Sequence, residues 1–279
     1  MDDCANMPPR SFVQIGERQM SYVDWGGAGP CVLLLHGIIN CAYAWWQLAP
    51  LLAQVGYRVY GLDLPGHGAS DLPADHRIDG IAAQVGATIE ALDLHDLTLI
   101  GHSWGGATAL ALASGDQAAR ERLARVVLID PAMAMSPAYG QQVLPHYLAA
   151  VGQAPELTAP NSRMANPPWH ACDVYWRSVA LAECRAAAVE GFFIGSGAWS
   201  LVERVGLVKV PLLVLLAEAG KTVVRPEVQA RIDELLERRG QLVHVAATDH
   251  NMFYGAGCAP TLGALVGWLA EQEVRRLED

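Results

Sequence analysis

The chain has 279 residues, of which 52% are hydrophobic and 17% charged, and this composition excludes an intrinsically disordered protein. Its 19 lysine and arginine residues face 29 aspartate and glutamate residues, so the net charge is −10, which argues against nucleic acid or an anionic membrane as the main partner. The length predicts one domain with an insertion, large enough to fold around its core without disulfides.

Segments with the hydrophobic pattern of strands alternate with segments of helical periodicity along most of the chain. The predicted strands are 11–15, 19–25, 31–35, 58–62, 97–100, 126–129, 210–216 and 242–246. The predicted helices are 43–55, 78–92, 107–113, 227–238 and 262–277. Continuous apolar runs are typical of strands buried on both faces, so the alternation predicts an α/β fold with a mostly parallel central sheet flanked by helices.

Residues 132–205 break this alternation, because they contain no clean strand pattern. We interpret them as an inserted helical cap, or lid, and assign residues 1–131 and 206–279 to the α/β core. The insertion carries eight aromatic residues, which are Tyr139, Tyr147, Trp169, Tyr175, Trp176, Phe192, Phe193 and Trp199. Its arginines 163, 177 and 185 are scattered, and we expect them on solvated faces.

A glycine-rich turn follows the predicted strand 97–100 and precedes the predicted helix 107–113. It reads Gly101-His102-Ser103-Trp104-Gly105-Gly106. In this context the G-x-S-x-G pattern indicates a sharp turn that exposes the serine at the carboxyl end of the sheet. The two outer glycines leave room for the turn, and the free N–H groups of the helix start favour developing negative charge. The alternative is a structural turn with a capping serine.

With this turn and three further motifs, the chain resembles the α/β-hydrolase superfamily over nearly its whole length outside the insertion. The further motifs are Leu33-Leu34-Leu35-His36-Gly37, Asp63-Leu64-Pro65-Gly66-His67-Gly68-Ala69-Ser70 and Asp249-His250-Asn251-Met252-Phe253. The resemblance leaves the substrate open, because this fold hosts many reactions. An aspartate at the nucleophile position would indicate a dehalogenase or an epoxide hydrolase, and Ser103 excludes both.

A serine nucleophile needs a base within hydrogen-bond reach and a third group that orients this base. The resemblance places the base after the last strand, and His250 occupies that position among the nine histidines. His36 and His67 lie in turns that shape the loops, so we favour structural roles for them. His102 is the variable residue of the G-x-S-x-G turn, and solvated or satisfied core positions are expected for His76, His95, His146, His170 and His244.

The acid departs from the commonest arrangement, because Gly220 occupies the usual aspartate position after the strand 210–216. In some dehalogenases and lactone hydrolases of the superfamily, the carboxylate instead follows the preceding strand. That position is Asp130 here, and the chain order Ser103, Asp130, His250 is preserved. We therefore predict Asp130 as the acid, with Glu218 as the alternative and Asp249 as a third candidate.

The resemblance also implies an oxyanion hole built from backbone N–H groups. One belongs to Trp104, the residue after the nucleophile, and the other to Ile38, in the loop after the strand 31–35. Loss of one such donor costs about 3–4 kcal/mol of transition-state stabilisation, so we expect this loop to be intolerant of distortion.

Aromatic side chains near the nucleophile predict an apolar substrate pocket. Its candidate lining residues are Trp45, Trp169, Trp176, Phe192 and Trp199. The sequence therefore predicts a serine hydrolase, a carboxylesterase or lactonase, that cleaves a hydrophobic ester or lactone through an acyl-enzyme. A carbon–carbon bond hydrolase or aminopeptidase on the same scaffold, and a non-catalytic small-ligand receptor, stay open as alternatives.

No cofactor or metal is expected, because the cysteines form no CxxC pair and no Cys/His pair has zinc-site spacing. We predict reduced, buried thiols at Cys4, Cys31, Cys41, Cys172, Cys184 and Cys258. The chain start lacks a signal-peptide pattern and no apolar run reaches the ~18 residues that span a bilayer, so we expect a cytoplasmic protein without nucleic-acid or membrane partners. The oligomeric state stays open, with a homodimer as one candidate.

Overall fold

The computed structural model describes residues 4, 6–165, 169–237 and 239–278. Its strands are β1 (Arg10–Ile15), β2 (Arg18–Gly26), β3 (Cys31–Leu35), β4 (Arg58–Leu62), β5 (Leu97–His102), β6 (Leu123–Ile129), β7 (Ala134–Met135), β8 (Trp199–Ser200), β9 (Leu212–Leu216) and β10 (Gly240–His244). Eight of them form one sheet in the order β1-β2-β4-β3-β5-β6-β9-β10. The β1–β2 and β2–β4 pairs are antiparallel and the other pairs are parallel, so the predicted mostly parallel sheet is confirmed.

Strand β3 shows why the central strands are continuous apolar runs. Val32 and Leu34 point into one apolar cluster, whereas Leu33 and Leu35 point into the other, and all four are fully buried. Successive side chains of a strand point to opposite faces, so a sheet covered by helices on both faces needs apolar residues at every position.

The helices are α1 (Leu48–Gln54), α2 (Ile78–Ala91), α3 (Trp104–Ser114), α4 (Pro137–Leu148), α5 (Pro155–Ala165), α6 (Ala171–Glu183), α7 (Ala186–Glu190), α8 (Pro226–Leu236) and α9 (Cys258–Glu278). The predicted helix 43–55 is divided into a 3-10 turn, Ala42–Trp45, and α1. Pro50 falls in the first turn of α1, where its missing N–H is tolerated, whereas it would break a helix running from residue 43. Arg238, the predicted end of α8, lies outside the described residues.

The inserted segment lies between β6 and β9 and contains α4 to α7 and a π-helical turn at Gly191–Gly195. It also contains strands β7 and β8, which pair antiparallel, although the sequence shows no strand pattern there. Each of these strands has only two residues, too few to produce a recognisable alternation. The division of the chain into a core and a separate lid stays a prediction.

The prediction of reduced thiols is wrong for Cys4 and Cys172, which form a disulfide. Their separation of 168 residues hid the pair, because only the packing of the chain start against α6 brings the Cα atoms to 5.3 Å. Cys31, Cys41, Cys184 and Cys258 are free. Among the described residues, no helix is long and apolar enough to cross a membrane.

Candidate active site

Ser103 occupies a strained turn between β5 and α3. Its backbone has φ 51° and ψ −114°, a region that residues with a Cβ rarely adopt. Neighbouring backbone groups hold it there: its N–H donates to the Ile129 carbonyl at 3.0 Å, and its own carbonyl accepts the N–H groups of Ala107 and Ala132 at 3.0 Å each. The turn thus places the Ser103 side chain at the carboxyl end of the sheet, where the sequence pattern predicts it.

The glycines of the turn are required by close approach of the backbone. A Cβ at Gly101 would lie 2.2 Å from the Gly105 carbonyl oxygen, and a Cβ at Gly105 would lie 2.2 Å from the Leu35 carbonyl oxygen. Real Cβ atoms do not approach backbone this closely, so both positions exclude any side chain. Helix α3 can therefore start directly over the end of β3.

A chain of hydrogen bonds joins Ser103, His250 and Asp130. The His250 Nε2 lies 3.1 Å from the Ser103 Oγ, and its Nδ1 lies 2.7 Å from the Asp130 Oδ2. An Nδ1–H that donates to the carboxylate leaves Nε2 free to accept the serine proton, which is the arrangement a general base needs. Ser103 is 9% exposed and the His250 side chain 30%, so the chain of groups is sheltered but open to solvent over the imidazole.

Asp130 is fully buried, and the loop after β9 supplies most of its remaining partners. The Thr222 hydroxyl donates to Oδ1, as does the Ala217 N–H at 3.4 Å, and the Val223 N–H donates to Oδ2 at 3.2 Å. A buried carboxylate is tolerated only when its oxygens are hydrogen-bonded. Residues 217–223 therefore contribute donors to the acid instead of carrying the acid themselves.

Glu218 does not reach His250, so the structure removes it as the alternative acid. Its carboxylate is exposed and pairs with the Lys221 ammonium at 2.9 Å, and this hydrogen bond lowers the pKa of Glu218. Asp249 is similarly occupied next to the base, because its Oδ1 accepts the Asn251 N–H at 2.8 Å. Asp130 is thus the carboxylate that the fold brings to the imidazole.

The loop after β3 lies directly against Ser103. A Cβ at Gly37 would lie 2.9 Å from the His102 Nδ1 and 3.2 Å from the Ser103 Cβ, so a side chain at this position would force these groups apart. Among the described residues, no backbone hydrogen bond of the turns and loops uses the N–H of Ile38 or of Trp104. Both predicted oxyanion donors are therefore available to a ligand.

Two buried imidazoles support this loop. The His67 Nε2 accepts the Ile39 N–H at 3.1 Å while its Nδ1 donates to the Pro65 carbonyl at 3.1 Å. His36 bridges the Gly37 carbonyl and the Leu64 N–H in the same way, at 2.8 and 3.0 Å. Burial lowers the pKa of His36 to about 4 and that of His67 to about 3, so both rings are neutral near pH 7. Ile39 itself has a φ of 54°, a strained value that these contacts stabilise.

His102 takes part in the site, which sequence reasoning did not anticipate. Its Nε2 lies 2.7 Å from the carbonyl oxygen of His250, and its ring packs against the His250 ring with centroids 4.7 Å apart. Burial lowers the pKa of His102 well below the usual value, and the neighbouring His250 lowers it further, so the ring is neutral and Nε2 acts as the donor. The only signal in the sequence is its place beside Ser103, because strand alternation turns it away from the substrate side.

The predicted pocket aromatics separate into two groups. Trp45 is fully buried against Phe253, with ring centroids 4.2 Å apart, so it does not line an accessible pocket. Trp176 stacks on Tyr43 at 4.2 Å in the same apolar cluster, and Trp169 packs edge-on against Tyr254.

Phe192 and Trp199 lie instead in the cluster that contains Trp104, the residue after Ser103. The Phe192 ring is 5.4 Å from the Trp104 ring and 6.4 Å from the Trp199 ring, within the other cluster. Core packing decided this division, because aromatic composition alone does not say which face of a helix meets which face of the sheet.

Arg177 also departs from the predicted solvated position. Its Nη1 donates to the Ile39 carbonyl at 2.9 Å, so this arginine of the insertion contacts residues 36–39 after β3, the predicted oxyanion loop. In the described ranges, no group of three or more His, Cys, Asp or Glu side chains is arranged to hold a metal ion.

Comparison with known proteins places this geometry in a family context. The family model described as "alpha/beta hydrolase fold" matches residues 30–153. A haloalkane dehalogenase from Mesorhizobium japonicum is 38% identical over 111 residues, which span 39% of this chain and 36% of that protein. The match thus covers much less than half of the relative. At the position where an aspartate would indicate a dehalogenase, this chain has Ser103.

Solved structures resemble this chain over nearly its full length. The crystal structure of E-2-(acetamidomethylene)succinate hydrolase has a TM-score of 0.82 at 20% identity, covering 94% of this chain and 99% of that one. An esterase from Exiguobacterium antarcticum has a TM-score of 0.77 at 18% identity, covering 93% and 99%. Likeness at these identities shows a shared fold, and the fold alone does not define a substrate.

Proposed function

The chain has the α/β-hydrolase fold, and from this premise we propose that it is a serine hydrolase cleaving a carboxylic ester or lactone through an acyl-enzyme. The observation that carries the proposal is the continuous hydrogen-bonded chain from the Ser103 Oγ through His250 to Asp130. This arrangement activates a hydroxyl that is otherwise unionised and weakly nucleophilic near neutral pH.

In the first half of the reaction, the Ser103 Oγ attacks the carbonyl carbon while the His250 Nε2 takes the hydroxyl proton. The buried Asp130 stabilises the imidazolium that forms and fixes its tautomer. Negative charge develops on the carbonyl oxygen, and the N–H groups of Ile38 and Trp104 stabilise it. His250 then returns the proton to the leaving alcohol, which stays tethered to the acyl group when the substrate is a lactone.

In the second half, water attacks the acyl-enzyme with His250 again as the base, and the acid product leaves Ser103 free. Trp199 is partly exposed beside the nearly buried rings of Phe192 and Trp104, and these side chains favour a hydrophobic group next to the scissile bond. These side chains would determine the substrate preference, because Ser103, His250 and Asp130 do not contact the chain attached to the carbonyl.

The direct test is labelling with a serine-reactive fluorophosphonate, followed by peptide mass spectrometry. We expect one label on Ser103, lost in Ser103→Ala and strongly slowed in His250→Ala. Ser114→Ala serves as a matched control, because the Ser114 Oγ donates to the Leu110 carbonyl within α3. An unlabelled wild-type protein that retains tight small-ligand binding would instead support a receptor.

The bond and chain preference are then resolved with p-nitrophenyl esters of increasing acyl length beside a panel of lactones. We expect turnover to rise from acetyl to medium-length acyl chains, because each buried methylene adds about 0.8 kcal/mol of binding energy. A preference for acetyl over all longer chains would contradict the apolar pocket while leaving the serine mechanism intact.

A further inference from the structure

Arg177 lies on the buried side of helix α6. The residues around it on this face, Trp176, Ala180 and Leu181, are buried in the two apolar clusters. Arg177 itself is half-buried, and its guanidinium reaches the Ile39 carbonyl. The charged group thus points from the insertion towards the loop that carries the Ile38 oxyanion donor.

No carboxylate neutralises this guanidinium. In the part of the chain that the structure describes, Arg177 forms no ion pair, although the protein has ten more acidic than basic side chains. By contrast, Arg185, just beyond the same helix, faces Asp71 at 4.0 Å, and Arg10 pairs with Asp63 and Glu183.

The nearest carboxylate along α6 is already occupied. Asp173 lies one turn before Arg177, and four N–H groups saturate its two oxygens. The donors come from Trp46, Gln47, His170 and Gly255. Asp173 therefore fastens α6 to the core and does not serve as the partner of Arg177.

The charge of Arg177 also reaches the rings around the nucleophile. Burial is the main cause of the lowered pKa of His36, His67 and His102, and the Arg177 charge lowers each further. These rings come from the loops after β3 and β4 and from the end of β5. The Arg177 charge therefore acts on the two histidines that hold the loop after β3 and on His102, the residue before Ser103.

Resting on the proposed hydrolase function, we propose that Arg177 binds a carboxylate of the substrate, so that the natural ester or lactone carries an anionic group. A half-buried guanidinium with one carbonyl contact has unused N–H donors whose planar geometry fits a carboxylate. None of the Arg177 nitrogens is both buried and unpartnered, so the N–H groups that do not contact Ile39 are open to solvent and a carboxylate can reach them. The substrate is then amphiphilic, with an apolar portion and an acidic one.

The test compares charged substrates with neutral isosteres of the same shape. On the acyl side these are the mono-p-nitrophenyl esters of succinate, glutarate and adipate, each paired with the ester in which an isopropyl group replaces the carboxylate. On the alcohol side, 4-acetoxybenzoate is paired with 4-isopropylphenyl acetate. Rates with Ser103→Ala are subtracted, because the dicarboxylic monoesters also cleave spontaneously.

Three variants separate charge from structure. Arg177→Gln retains an N–H donor for the Ile39 carbonyl and loses the charge, Arg177→Met loses both, and Arg185→Gln is the matched control outside the site. The measured quantity is the ratio of kcat/KM for the charged and the neutral member of each pair, in which differences in intrinsic reactivity cancel between variant and wild type.

We expect Arg177→Gln and Arg177→Met to lower this ratio about 10- to 100-fold for at least one pair, and Arg185→Gln to leave it unchanged. If Arg177 only ties α6 to the loop, Arg177→Gln keeps the wild-type ratio, and Arg177→Met slows both members of each pair equally. That outcome overturns the proposal and leaves the hydrolase function intact.

A binding measurement keeps the proposal testable if no ester is cleaved. Ser103→Ala is titrated calorimetrically with glutarate and with the neutral glutaramide. We expect binding of glutarate alone, and its loss in Ser103→Ala/Arg177→Gln. Failure of ester cleavage with this binding intact contradicts the proposed function only, whereas equal behaviour of both proteins towards glutarate contradicts the role of Arg177.

Discussion

The loops after β9 and after β3 lie on two sides of Ser103, and their buried polar groups are stabilised in different ways. On one side, the buried carboxylate of Asp130 is surrounded by donors from the loop after β9 and by His250. On the other side, the oxyanion loop is held by the neutral rings of His36 and His67, which accept backbone N–H groups. One side keeps a buried carboxylate, whereas the other is held by neutral imidazoles, with the Arg177 guanidinium at the Ile39 carbonyl.

The difference follows the charge that the proposed reaction creates. An imidazolium forms at His250, so a fixed negative charge beside it is stabilising. An oxyanion forms near Ile38, where a second negative charge would be repelled and a cationic imidazole would risk donating its proton. The neutral rings of His36 and His67 hold the loop without adding a charge near the oxyanion or the imidazolium. This contrast leads to four predictions.

The largest expected effect is the loss of the charge on the acid side. Asp130→Asn should lower kcat about 10³- to 10⁴-fold, because the amide favours the wrong imidazole tautomer and does not stabilise the imidazolium. Glu218→Gln is the matched control and should stay within about two-fold of wild type, because its exposed pair with Lys221 contributes little. Steady-state kinetics on a p-nitrophenyl ester measures both, and near-full turnover in both variants would disprove the triad.

The next effect concerns stability on the oxyanion side. His36 and His67 have folded pKa values of about 4 and about 3, below the unfolded value of about 6.5. Below pH 6.5 the unfolded chain therefore binds more protons than the folded one. The contribution of each neutral ring to the free energy of unfolding is fully present above pH 6.5 and is lost as the pH falls towards 4 for His36 and towards 3 for His67. For each ring, the free energy of unfolding should fall by about 2 kcal/mol when the pH is lowered from 7.5 to 5.

Denaturant unfolding at the two pH values measures this loss. Carboxylates titrate in the same range, so the informative comparison is with His67→Gln, whose amide oxygen still accepts the Ile39 N–H. This variant should lose about 2 kcal/mol less than wild type over the interval, whereas the exposed His146→Gln should match wild type. An equal loss in all three proteins would show that folding does not lower the pKa of His67.

A smaller effect is expected from the donors around the acid. Thr222→Val keeps the shape of the side chain and removes one hydroxyl from Asp130, so kcat should fall about 10-fold. Thr88→Val, which removes a hydroxyl bonded to the Gln84 carbonyl in α2, is the control for the substitution itself. Equal kcat in the two variants would mean that the remaining N–H donors suffice to hold the carboxylate.

The smallest effect concerns the positioning of the base by His102. His102→Leu removes the bond to the His250 carbonyl and should lower kcat about 5-fold, with KM nearly unchanged. His102→Gln, which retains an N–H donor, should recover part of the loss. If both variants lower only the melting temperature and leave kcat unaltered, His102 stabilises the fold without positioning the base.

The sequence by itself determined the sheet and the turn that holds Ser103. Continuous apolar strands such as β3 reflect the alternation of side chains between the two faces of a sheet. The glycines of the turn at Ser103 reflect the close approach of backbone segments. Both constraints are local. The position of His250 after the last strand was inferred from family resemblance, and the fold brings its ring within hydrogen-bond reach of Ser103.

Only the tertiary structure decided which distant groups meet. It brought Asp130 and not Glu218 to the base, joined Cys4 to Cys172, buried Trp45 and turned Arg177 towards the oxyanion loop. A sequence fixes the chemistry of each side chain, but not the distance between side chains far apart along the chain. Those distances depend on how helices and loops pack across the edge of the sheet, and no local pattern encodes them.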